Sequence, residues 1–123
     1  MPIPFTITRD DLLRGKTIEP GWYKAIISKV LQEPAKTDGS TNTVFEFKIT
    51  QDGPFKDVPV RKSFSEKATG FVRPLLEACG AAVSDNGGNF DLEKGIGTEL
   101  LIYIKNNMYN NRLTNSVEDY RAI

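Results

Sequence analysis

The chain has 123 residues with sixteen basic and sixteen acidic side chains, no histidine and a single cysteine. That length specifies one domain, residues 1–123, able to bury roughly two-thirds of its unfolded surface without staples. The neutral balance argues against a general polyanion coat of the histone type. Without histidine the commonest general base, the usual catalytic triads and most zinc sites are removed. Cys79 alone makes neither an intramolecular disulfide nor a thiolate cluster, which favours a reducing, cytoplasmic setting. There is no secretory h-region and no apolar run near the ~20 residues that span a bilayer, so no membrane partner is expected.

Residues 1–20 form an N-terminal segment with a short helical turn, in which Thr8 is the N-cap and Asp10 and Asp11 suit the positive end of the dipole. Pro20-Gly21 ends it. Residues 22–31 read as the first strand, where Ile26 and Val30 break the alternation and predict a bulge or burial on both faces. Residues 33–42, with Pro34, Asp38-Gly39 and Ser40, read as a long hairpin loop. Residues 43–50 alternate cleanly, Phe45, Phe47 and Ile49 against Val44, Glu46 and Lys48. After the turn signal Asp52-Gly53-Pro54 a third strand covers 58–65, and Pro59 places it at an edge or puts the proline at its start. Phe71, Val72, Leu75, Leu76 and Cys79 follow helical spacing over 69–79; Pro74 means that the helix begins near it or kinks there. A polar, glycine-rich loop covers 84–89. The fourth strand is 99–105 and the fifth about 111–117, after an asparagine-rich turn, leaving 118–123 as a brief mixed tail.

The fold class is therefore mainly β. Five strands with one helix between the third and fourth is the element order of an OB-fold-like barrel. An α+β sheet with one covering helix is the structural alternative.

Charge is sorted within this frame. The strands carry Lys24, Lys29, Lys48, Arg61, Lys62, Lys105 and Arg112 against only Glu46 and Glu99, and share them with Trp22, Tyr23, Phe45, Phe47, Phe64 and Tyr103. Cations interleaved with aromatics on a sheet suit a single-stranded nucleic acid, phosphates on the charges and bases on the rings. The same pattern also arises when Lys and Arg simply solvate the outer face of a half-buried sheet.

Pro20-Gly21-Trp22-Tyr23, Val44 to Ile49, Gly97 opening an alternating strand, Tyr109-Asn110-Asn111 and Asn115 to Tyr120 together resemble a family of small bacteriophage single-stranded-DNA-binding proteins of OB-fold type. The resemblance runs from about Pro20 to Tyr120. It implies coating of single strands without chemistry during DNA replication or recombination, in the host cytoplasm, alongside replication or recombination proteins. In place of the glycine expected after Tyr-Asn this chain has Asn111, a residue that tolerates the left-handed region.

Catalytic motifs do not assemble, and no cofactor or metal is expected. Gly15-Lys16-Thr17 resembles the end of a phosphate-binding loop, but Asp10 replaces the required glycine and no helix follows. Residues 85–91 resemble a calcium loop, but the twelfth position is Ile96 and not glutamate.

Strand parity selects the binding residues. With Tyr23, Phe45, Phe47, Leu100, Ile102 and Ile104 inward, Trp22, Lys24, Lys48, Arg61, Tyr103, Lys105 and Arg112 point outward. Trp22 and Tyr103 would stack bases and the cations would meet phosphates; Tyr109 would act as a loop clamp or a hydrophobic plug. Trp22 could instead pack under the helix or the N-terminal segment. Phe64 shares parity with Val60 and belongs inside, Lys62 has no assignable direction, and Phe55 is an exposed-looking turn aromatic. A protein-interaction or virion-structural module is the competing reading. Monomer and homodimer stay equally open.

Overall fold

A computed structural model describes residues 2–35 and 39–123. Thr8 caps the helix α1 (Arg9–Leu13): its hydroxyl accepts from the Asp11 N–H while the Asp11 carboxylate accepts from the Thr8 N–H. This reciprocal box is what lets so short a helix form. Five strands follow, β1 (Gly21–Pro34), β2 (Thr41–Ile49), β3 (Pro59–Ser65), β4 (Glu99–Tyr109) and β5 (Arg112–Arg121). All pairings are antiparallel, in the order β3-β2-β1-β4-β5. The long strand β1 pairs with β4 through its first half and with β2 through its second, and so bends the sheet around a common interior. Between the described residues of β3 and β5 there is no ladder, so the sheet is not closed.

Proline positions explain two boundaries. Pro59 is the first residue of edge strand β3, where a missing N–H costs nothing. Between β3 and β4 a 3₁₀ stretch (Glu66–Val72) leads into α2 (Arg73–Ala78), so Pro74 lies in the first turn of the helix and does not kink it. Ring-locked φ is pre-organised for a first helical turn. The expected bulge is at Ser28: the register with β2 shifts between Ile27 and Lys29.

The core consists of the inward residues. Ala25, Ile27, Phe45, Phe47, Ile49, Val60, Phe64, Leu100, Ile102, Ile104 and Val117 are buried, joined by Ile18 from the N-terminal segment and Leu75 from α2. Tyr23 is half-buried against this core, with its hydroxyl donating to the Glu19 carbonyl at 2.6 Å. The segment before β1 is stitched to β5 by one amide. Asn115 Oδ1 accepts from the Ile18 N–H at 2.9 Å, and its Nδ2 donates to the Lys16 carbonyl at 2.7 Å.

Several expectations need correction. β1 extends to Pro34 and β2 begins at Thr41, so the first hairpin loop is shorter than the sequence suggested; the Asp38 half of its turn signal lies outside the described residues. β4 runs on to Tyr109 and β5 to Arg121, so Glu118 and Asp119 belong to a strand and not to a tail. Glu118 is the extra residue of a second bulge, opposite the Tyr103–Ile104 step. That irregularity hides the alternation of β5. Phe55 is half-buried, edge-on to Tyr23 with ring centroids 5.9 Å apart. β2 is buried on both faces, since Val44 and Glu46 are also covered.

Tyr120 turns inward beside Phe47, and its buried hydroxyl bonds to no described residue. Burial first, then Glu118 and Asp119, push its pKa well above the ordinary tyrosine value. Ionisation is thus harder in the folded protein than in the unfolded chain. The corresponding stability is complete below the unfolded pKa of about 10 and is lost as pH rises toward the folded value. Tyr120→Phe should leave neutral-pH stability unchanged or raise it by up to about 1 kcal/mol, because a buried unpaired hydroxyl is removed. It should also flatten the alkaline loss of stability in urea melts recorded between pH 8 and about 11. A clear loss at neutral pH would mean that the hydroxyl has a partner in solution.

Candidate nucleic-acid interface

The outward face of β1 and β4 brings the two proposed stacking residues together. Trp22 and Tyr103 are direct cross-strand partners, and their ring centroids lie 5.3 Å apart, tilted by 54°. Both rings are half-buried. Cations bracket the pair. The Arg121 guanidinium reaches over the Trp22 ring, 4.6 Å from its centroid, and Lys105 Nζ lies 5.9 Å from the Tyr103 centroid. A cation within about 6 Å of a ring face is held by the ring quadrupole, so these contacts fix positive charge beside the two rings.

From this centre a line of outward positions follows β1. Lys24 is exposed, with Leu101 and then Arg121 beside it across β4 and β5. Two residues further on, Ile26 faces Lys48 of β2. Alternate residues of a strand are ~6.6–7 Å apart, so Trp22, Lys24 and the Ile26–Lys48 pair mark three positions separated by two roughly equal steps.

Other proposed residues are placed differently. Arg61 is opposite Glu46, and its guanidinium is bound to Glu33 at 2.8 Å and lies 3.8 Å from Glu46. Arg14 reaches the same buried Glu46 carboxylate at 3.1 Å, and this contact raises the Arg14 pKa above its ordinary value. Arg61 is therefore engaged in covering a buried charge, and less of its charge is free for phosphate. Tyr109 and Arg112 face each other at the end of the β4–β5 hairpin, six residues beyond Tyr103 and roughly 20 Å along the strand. The intervening turn has Asn110 at φ 48° and Asn111 at φ 64°, the two left-handed residues of a type I′ turn. Asparagine thus supplies at position 111 the conformation for which glycine was expected. Lys62 lies on the inward register opposite Phe45, with its ammonium 5.9 Å from the Phe64 ring centroid.

Arg121 is the residue that sequence reasoning missed. Ending β5 at Val117 put Arg121 in a tail, whereas counting alternate residues back from it across the Glu118 bulge places it on the face of Trp22. The face is not purely cationic: Asp119 is the β5 partner of Tyr103, and Glu99 accepts from the Thr50 hydroxyl. Among the described residues no group of three or more acidic, cysteine or histidine side chains is placed to hold a metal ion, and no helix is long and apolar enough to cross a membrane. Burial pushes the Cys79 thiol pKa up, away from the reactive thiolate. No family model matches the chain, and no curated protein is significantly similar to it.

Proposed function

We propose that this is a non-catalytic, sequence-tolerant single-stranded-DNA-binding protein, built on an OB-like barrel and serving phage replication or recombination. The observation that carries the reading is the outward Trp22–Tyr103 pair bracketed by Arg121, Lys105 and Lys24. Rings give every base a π-face to stack on, and flanking cations take the phosphates, so the arrangement favours an unpaired strand over a duplex whose bases are already stacked. The barrel reading is supported by strand order: β1 pairs with both β2 and β4, while β3 and β5 are the strands that would meet on closure. Replication or recombination proteins are the expected partners.

Trp22 is the only tryptophan, so its fluorescence reports the site directly. Titration with oligo-dT should quench it at concentrations well below those needed with duplex of equal length. The logarithm of the affinity should fall with the logarithm of salt concentration, with a slope of about −0.7 per phosphate neutralised. Equal affinity for duplex would remove the stacking argument. A flat salt response would favour a protein-binding or virion-structural module instead.

A further inference from the structure

Residues 2–8 precede α1 without regular secondary structure, and the apolar side chains among them face water: Ile3 is 90%, Phe5 84% and Ile7 56% exposed. They alternate with Pro4, Thr6 and Thr8, the period of a strand with one apolar face. None of residues 2–7 makes a hydrogen bond to another described residue, so this is strand-like sequence without a strand partner.

A matching surface exists elsewhere on the chain. Met108 and Leu113 are cross-strand partners, and the core register Ile104–Val117, Asn106–Asn115 leads straight to them. By parity they continue the core-facing side of the hairpin, yet they are 66% and 51% exposed. Leu113 borders a groove of about 300 Å³ that Gly15, Pro59, Val60, Thr114 and Asn115 also line, with Arg14 and Arg61, both held by carboxylates, on its wall. The groove lies between β3 and β5, the two edge strands of the sheet. Pro59 has no N–H to offer on the β3 side, which makes the β5 edge the better one for an added strand.

We infer that the arm of residues 2–7 docks on a second copy of this chain, in the β3–β5 groove beside Leu113, and that the exchange is reciprocal. The arm carries no charge and so adds none to the groove, whose Arg14 and Arg61 already have carboxylate partners in Glu46 and Glu33. Pro2 and Pro4 hold it extended before contact and so reduce the ordering cost. Area decides between a single and a reciprocal contact. The exposed parts of Ile3, Phe5 and Ile7 amount to roughly 400 Å², so one docked arm removes about 800 Å² in total, the size of a crystal contact. Two arms exchanged about a twofold axis remove about 1,600 Å², the size of a stable interface. The inference is independent of nucleic-acid binding and is tested without it.

Sedimentation velocity of the full chain at about 100 µM, above the micromolar limit usual for an interface of that area, should show a dimer. The triple variant Ile3→Ser/Phe5→Ser/Ile7→Ser should sediment as a monomer with an unchanged circular dichroism spectrum, because the arm contributes nothing to the core. Leu113→Ser, on the receiving surface, should weaken the dimer at least tenfold. A monomeric parent chain, or a dimer that survives the triple substitution, overturns the inference.

Discussion

Phe47→Ala is expected to destabilise the protein by about 3–5 kcal/mol, read from urea melts, the loss typical of a fully buried aromatic side chain. Phe47 has no exposed surface and sits near the centre of the core, stacked on Phe45 at a centroid distance of 6.4 Å and beside Tyr120 at 6.1 Å. Its register partners are Ile27 on β1 and Val60 on β3, both buried, so no neighbour can swing in from solvent to fill the cavity. Lys48 follows it in sequence and points to the other face, between Ile26 and Pro59. Lys48→Ala should change stability by no more than about 0.5 kcal/mol. An equal loss in both variants would mean that β2 is not oriented as described.

The contrast within β2 shows what alternation reveals and what it hides. The inward set Phe45, Phe47, Ile49, Leu100, Ile102 and Ile104 is legible because each strand there keeps an unbroken period of two. Phe64 follows the same logic on β3. The cap of α1 was legible for a chemical reason, since Thr8 and Asp11 satisfy two otherwise unpaired N–H groups. Glu46 was not. Its parity points outward, and its burial comes from Arg14 and Arg61, residues 32 and 15 positions away that no local pattern connects to it. That distant ion cluster also draws Arg61 out of the set of freely available cations. Arg121 was missed because a single extra residue, Glu118, inverts the apparent parity of β5. The outer half of the hairpin, Asn107 to Thr114, is largely exposed on both faces and shows little apolar alternation, so its full length is not legible in the sequence. The pairing of Trp22 with Tyr103 depends on a register between segments some eighty residues apart. Sequence parity placed both rings outward, and only the β1–β4 ladder makes them neighbours.

Trp22→Ala is expected to weaken oligo-dT binding by about 1–3 kcal/mol, roughly five- to 150-fold, while leaving the salt slope unchanged. Fluorescein-labelled oligo-dT and anisotropy provide the readout, since the variant loses the intrinsic fluorophore. The ring offers a stacking surface and holds Arg121 in place, but it carries no charge, so its loss should not change the number of counterions released. Lys24→Ala should show the complementary pattern, with a smaller loss of affinity and a slope reduced by a fraction of one phosphate equivalent. Arg121→Ala combines both effects, removing a charge and a partner of the Trp22 ring, and should lower affinity and slope together. Each side chain lies on the outward face, away from the core that fixes stability, so circular dichroism should confirm folded protein in all three variants. Unchanged oligo-dT affinity in a folded Trp22→Ala protein would show that the Trp22–Tyr103 surface does not stack bases, and the proposed site would have to be given up.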